Sequence, residues 1–344
     1  MLMAGPIAFR FPYAQLSCML PVSRYTRTEK LLAGLDVATT TGLEIGPLNP
    51  PSLRPPHANI RYVDHADQLA LRSKYANDPN IPINDIVPID AVWANKTLAE
   101  CFPGEQFDYV IASHVIEHVP NVIGWLTEIA AILRPNGHLI LAIPDRRTTY
   151  DILRRETTLA DLIDANFRAA SRPTPGQVFD CKANVAAFTH QQAWAATPPS
   201  APPPRFATLA YALSQAEQSR DGAHIDCHCS VFTARSLLSL LDNLLELNLL
   251  PYRLERFHIA CAGSNEMSLI LRREPPGATP EPARAAIQAL LQSGTDTEGL
   301  SLDAPTSPED PRIAYLQRAL QEMQSSTSWR ITAPLRALMR KMRR

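Results

Sequence analysis

Gly42-Leu43-Glu44-Ile45-Gly46-Pro47 is the stretch whose reading decides the fold. Leu43 and Ile45 flank one acid, and Gly46-Pro47 halts the run, as where a short strand ends in a tight turn. Gly46 lets the backbone pass close to a neighbouring molecule with no side chain in the way. Glu44 sets a carboxylate beside that turn. Alone, the segment is only a strand end with a solvated acid.

Similar runs follow at helix-length intervals. Residues 60–63 form a second strand closed by Asp64, with a helix expected over 67–75. A third strand is expected within 86–92 and a fourth over 108–112, followed by an amphipathic helix over 122–133. Pro135-Asn136-Gly137 reads as a turn before a fifth strand, 139–143, which stops at Pro144-Asp145. Strands alternating with helices imply right-handed crossovers and a parallel sheet covered on both faces.

Residues 146–222 break the rhythm. Helical pattern near 150–168 gives way to a loop with Pro198, Pro199, Pro202, Pro203 and Pro204. So long an excursion between strands reads as a functional element such as a substrate lid. Residues 224–232 alternate like a strand, and Thr233 can cap a helix carrying Leu237, Leu240, Leu241 and Leu244 on one face. Residues 252–260 and 266–271 read as a hairpin, giving a mixed sheet with one antiparallel member. From Pro275 the composition shifts to that of a linker with one short helix at 283–291. The expected organisation is an extension over 1–30 (Met19 an alternative start), a domain over 31–274, a linker over 275–311, and a tail over 312–344 holding a helix near 313–323.

Composition excludes several classes. A formal net charge of -1 gives no reason to expect a nucleic-acid partner. No apolar run has transmembrane length, and the N-terminus lacks the basic start of a signal peptide. The six cysteines form no evenly spaced framework in a chain large enough to fold without one, so they read as reduced and cytoplasmic. The 31 prolines against 13 glycines point to stiff loops.

In a doubly wound sheet, ligands sit at the carboxyl ends of the central strands. Glu44 and Gly46 fall at the first strand's end. Asp64, about 20 residues on, falls where a carboxylate can hold a ribose diol. After the fourth strand, Ser113 can cap a helix on which His114 and His118 lie one turn apart. With Glu117 they lack the His-Glu-x-x-His order of a helical zinc site, so no metal is expected. In His224-Ile225-Asp226-Cys227-His228-Cys229, alternation turns the cysteines to the core. A structural strand is expected there too, its polar face toward a pocket under the excursion.

Leu43-Glu44-Ile45-Gly46-Pro47, Tyr62-Val63-Asp64, the run from Phe107 to His118 and Leu133-Arg134-Pro135-Asn136-Gly137-His138-Leu139 together resemble the class I S-adenosylmethionine (SAM)-dependent methyltransferases of type 11. The likeness covers about 41–145 and extends through the hairpin to about 272. It implies an α/β, Rossmann-like, doubly wound seven-stranded sheet with an antiparallel terminal strand. It also implies SAM as cofactor, with Glu44 toward the ammonium, Asp64 toward the ribose, and Ser113 and His114 toward the methionine end. Two positions depart from the pattern. Leu48 and Asn49 stand where many members have further glycines, and Asn95 stands in for the acid usual on the adenine side. These departures leave a catalytically inactive binding module as an alternative. A nicotinamide dehydrogenase ranks lower, because Gly46-Pro47-Leu48-Asn49 lacks the glycines that admit a pyrophosphate. His114 and His118 are the candidate bases for a hydroxyl acceptor.

The tail from Trp329 interleaves six basic residues with Ile331, Leu335, Leu338 and Met342, as an interfacial helix would. Residues 326–336 resemble a tail segment of bacterial enzymes of surface-polysaccharide assembly. The expectation is methyl transfer to a glycan or lipid-linked glycan, with peripheral contact at the inner face of the membrane. A small aromatic, quinone-like or lipid acceptor is the alternative.

Overall fold

The computed structural model describes residues 26–293 apart from 33, 49, 80, 95 and 196–201. Asn95, the alternative start, the helix near 313–323 and the basic tail lie outside the described residues.

Seven strands form one sheet: β1 (Thr41–Ile45), β2 (Asn59–Asp64), β3 (Ala91–Val92), β4 (Phe107–Ser113), β5 (Leu133–Pro144), β6 (Tyr252–His258) and β7 (Glu266–Arg273). Their order is β3-β2-β1-β4-β5-β7-β6. The first five strands are parallel, and β7 is antiparallel to both β5 and β6. This is the expected α/β, Rossmann-like sheet. Chain order reverses at β1, which has β2 on one side and β4 on the other. The crevice over the carboxyl ends of β1 and β4 is therefore the topological switch point.

Alternation along each strand sorts two cores. Leu43 and Ile45 join Val110, Ala112, Leu139 and Leu141 on one face. Helices Val122–Ile132, Ala234–Glu246 and Glu281–Gln292 cover it. Six buried leucines of Ala234–Glu246, at roughly 1.5–3 kcal/mol each, dock that helix far more strongly than propensity would. The opposite face gathers Tyr62, Tyr109, Ile111, Ile140 and Ala142 beneath Leu31 of helix Arg27–Leu32, with Ala58 and Val87 from connecting segments. Helix Glu281–Gln292, expected within a linker, packs on the first core through Ile287 and Leu290. Its Arg284 Nε donates to Asp242 at 3.0 Å.

Three expectations of local structure change. The third strand shrinks to two residues. Pro88 has no donor to give, and the Asp90 carboxylate accepts the Tyr62 N–H at 2.7 Å where a strand carbonyl would. The turn at 135–137 is an irregularity inside β5, whose register against β4 shifts between Phe107 and Tyr109, with Asn136 in the left-handed region. Residues 224–232 form no strand. Cys227, His228, Cys229 and Ser230 are all buried in succession, which alternation forbids. Their backbone partners are loops and side chains: Arg154 donates to the His228 carbonyl, Gln177 to that of Cys229, and the Cys229 and Ser230 N–H groups reach Glu117 O. Phe232 alone bridges to Asp145.

Among the described residues no helix is long and apolar enough to cross a membrane. Gly42 is fixed by close approach, since a Cβ there would stand 2.1 Å from the Tyr109 ring. Gly42→Ala should therefore destabilise the fold by at least about 1–3 kcal/mol, read as a lower midpoint in urea unfolding. Gly104→Ala, where a Cβ would meet nothing within 4 Å but φ is +74°, should cost less.

Candidate cofactor and acceptor site

At the end of β1, Gly46 has φ +66°, and its N–H donates to Val63 O at 2.9 Å. A Cβ at Gly46 would lie 3.0 Å from Val115 Cγ2, so the bare backbone keeps the β1–β4 crevice open. Glu44 is only 2% exposed, and its carboxylate accepts the Ser52 N–H at 2.8 and 3.0 Å. Burial pushes its pKa up to about 7, although the Ser52 and Leu53 N–H groups and the Arg27 charge pull the other way. Asp64 is buried at the end of β2, where its Oδ1 accepts the His65 N–H at 2.6 Å.

At the end of β4, Ser113 and His114 meet two residues far away in sequence. Arg27 Nη2 donates to Ser113 Oγ at 2.6 Å, and Arg27 Nε to Glu266 at 2.7 Å. His114, in the left-handed region, places Nε2 3.0 Å from the other Glu266 oxygen and Nδ1 3.4 Å from Glu117. Burial works against a charge on His114, but the Glu117 and Glu266 carboxylates outweigh it and raise its pKa to about 9. His114 is thus a cation at neutral pH, unsuited to take a proton. Burial would raise the Glu266 carboxyl, yet His114 and Arg27 hold it below its ordinary range.

His118 does not stack on His114. Its Nδ1 pairs with Asp226 at 2.8 Å, and its ring packs edge-on against His228, centroids 4.7 Å apart. His228 Nδ1 pairs with Asp151 at 2.5 Å, and its Nε2 lies 2.8 Å from the Tyr150 hydroxyl. Arg154 braces the group, donating to Asp151 at 2.9 Å and Asp180 at 2.8 Å. Burial would raise the Asp151 carboxyl, but His228 and Arg154 hold it below its ordinary range. The start of the excursion thus builds a polar cluster beside the β4 end, together with His118, Asp226 and His228.

Glu44, Gly46 and Asp64 therefore fall at the ends of adjacent strands, and Ser113 and His114 across the crevice from them. This set fits a phosphate-free zwitterionic ligand: a bare backbone turn, acids on one side, and the Arg27 and His114 cations on the other. Arg27, Glu266, Asp151 and Tyr150 were not singled out from sequence. No local motif marks them, because their partners lie tens to hundreds of residues away.

Residues 38–244 match the family model described as a methyltransferase domain, more than half of the chain. The chain belongs to that family. S-adenosylmethionine is the cofactor of this methyltransferase domain. A 60-residue stretch is 42% identical to a ubiquinone biosynthesis O-methyltransferase of Rhodopseudomonas palustris (strain HaA2), covering 17% of this chain and 23% of that one. A 50-residue stretch is 40% identical to the enzyme of that name from Bradyrhizobium sp. (strain ORS 278), covering 14% and 20%. The match thus spans less than a quarter of these curated relatives. Among solved structures, the N-methyltransferase NodS of Bradyrhizobium japonicum WM9 aligns at 12% identity and a TM-score of 0.33, covering 72% of this chain and 92% of that one. The CcbJ methyltransferase of Streptomyces caelestis aligns at 13% identity and 0.37, covering 72% and 89%.

The charge on His114 is directly measurable. Its imidazole should titrate near pH 9 by NMR, well above an ordinary histidine, and Glu266→Gln should lower that midpoint. Because the folded value lies above the unfolded one, the stabilisation is complete below about pH 6.5 and is lost as pH rises through about 9.

Proposed function

We propose that this methyltransferase domain moves the methyl group of S-adenosylmethionine to a hydroxyl oxygen of a polar acceptor, a sugar of surface-polysaccharide assembly. The observation that carries this reading is the polar cluster beside the β4 end, where His118, His228 and Tyr150 converge. A wall of imidazole, phenol and carboxylate groups matches a polyol better than an aliphatic tail. The tail resemblance noted in the sequence favours a glycan. The short similarity to ubiquinone biosynthesis O-methyltransferases favours a second reading, a quinone-like aromatic hydroxyl, which the same polar groups would also serve.

S-adenosylmethionine supplies a methyl group already activated on sulfonium. The chain's own task is to orient, to exclude water and to manage one proton. Gly46 admits the ligand's backbone-like end, Glu44 faces its ammonium, and Asp64 takes the ribose hydroxyls. Arg27 and His114 supply positive charge for its carboxylate. Asp226 and Asp151 fix the tautomers of His118 and His228 so that each turns Nε2 away from its carboxylate. That pair presents a polar wall to the acceptor hydroxyl, and the helical excursion holds the acceptor against it.

Calorimetry on the full chain tests the cofactor half. Both SAM and its demethylated product should bind, and Asp64→Ala should weaken binding roughly 10-fold or more. Absence of binding at millimolar cofactor would sink the proposal. Glu44 must ionise to face an ammonium, so affinity should rise about tenfold between pH 6 and 8. That slope should vanish in Glu44→Gln. Labelled methyl incorporation into cell-envelope polysaccharide, set against a lipid-quinone fraction, separates the two acceptor classes.

A further inference from the structure

Glu117 is 1% exposed, yet neither of its carboxylate oxygens has a hydrogen-bond partner. A buried carboxylate that accepts no hydrogen bond is costly, by several kcal/mol even after relaxation. His114 approaches only one oxygen, Oε1, at 3.4 Å. Close by stand His118 and His228. One ligand atom from each of Glu117, His118 and His228 lies within 4.8 Å of the other two.

Both rings are prepared in the same way. Each gives Nδ1 to a carboxylate, Asp226 for His118 and Asp151 for His228, which leaves Nε2 as the ligating atom. A carboxylate behind the far nitrogen is the usual support of a metal-binding histidine, because it fixes the ring and raises its basicity. Asp151 is itself anchored by Arg154. The adjacent pair Glu117-His118 and the distant His228 are brought together by backbone. The Cys229 and Ser230 N–H groups donate to Glu117 O at 2.6 and 3.1 Å. The cluster reaches the surface through His118, whose side chain is 37% exposed.

We propose that Glu117, His118 and His228 bind a divalent transition-metal cation of the zinc type, with an open position that takes the acceptor hydroxyl. Two imidazoles and one carboxylate with a vacant fourth place is a ligand set suited to zinc and its neighbours rather than to calcium or magnesium. Bonds of about 2.0–2.1 Å place tetrahedral ligand atoms about 3.4 Å apart, so the side chains close by about an ångström on binding. Tyr150 yields its place at Nε2 in that closure. The metal site stands on geometry alone; its use in catalysis rests on the methyl-transfer reading. There the cation acidifies the acceptor O–H, and the proton leaves to water. The oxygen's electron pair then forms the O–CH3 bond as the S–CH3 bond breaks, its pair remaining on sulfur.

Titration of the chelator-treated full chain with Co2+, followed by visible absorption, tests the site. The expected result is one cobalt per chain with d–d bands, displaced by Zn2+. His118→Asn and His228→Asn should each weaken binding roughly 100-fold or more, while SAM binding by calorimetry is kept. His228 is buried, so its variant is open to misfolding; the partly exposed His118 carries the test alone in that event. The proposal is overturned if no stoichiometric cobalt binds, or if His118→Asn binds it as tightly as the parent. It is equally overturned if thiolate charge-transfer bands place the metal at the neighbouring Cys181, Cys227 and Cys229. Metal binding without SAM binding would keep the site and remove the methyl-transfer reading; SAM binding without metal would do the reverse.

Discussion

Everything functional in this domain depends on β1 being gripped between two parallel neighbours. Ile45 pairs with Val63 on one side and Ala112 on the other, so three carboxyl ends lie side by side. Parallel pairing leaves the turns after these strands on the same edge, and the reversal of order at β1 opens the crevice between them. Gly42 permits that grip by leaving room for the Tyr109 ring. Gly46 ends it without closing the crevice. Neither glycine confers chemistry, yet the acids of β1 and β2 would not face the β4 end without them.

The second half of the chain completes the site by returning to this edge twice. After β5 the excursion delivers Tyr150, Asp151 and Arg154, and residues 226–230 come back over Glu117. Arg154 is a buried charge with two carboxylate partners and a carbonyl. Such networks contribute little net stability relative to a well-packed apolar cluster, but they define one arrangement sharply. Here the arrangement defined is the pose of His228.

Legibility in the sequence followed the range of the interaction. Strands read from local alternation were found where the structure has them, and spacing with the hairpin gave the sheet its single antiparallel member. The placing of Glu44, Gly46, Asp64, Ser113 and His114 at or beside strand ends was legible because punctuation marks where strands stop. His118 was legible as a residue but not in its pairing, since helix periodicity predicted a neighbour four residues away and the structure supplied one 110 residues on. Residues 224–232 misled for the opposite reason. Their alternation is real in sequence, but they meet the sheet only at the Asp145–Phe232 bridge, and side chains of the excursion took over backbone hydrogen bonds. Arg27 and Glu266 were invisible, being joined only by the closure of the sheet.

The electrostatics of the edge divide it into two halves that need different partners. Around Ser113 the charges close on themselves: Arg27 and His114 face Glu266 and Glu117, two cations against two acids. A zwitterion entering there adds one charge of each sign and leaves the balance intact, which is what a methionine moiety does. Around His118 and His228 the balance is different. Asp226 and Asp151 polarise rings whose ligand atoms lie within 4.8 Å of the Glu117 carboxylate, the same carboxylate that His114 meets from the other side. Burial of Glu117 and His228 strengthens these interactions. The half near Ser113 thus holds cations of its own, whereas the half near His228 gathers imidazoles and carboxylates, donor chemistry that a cation fits.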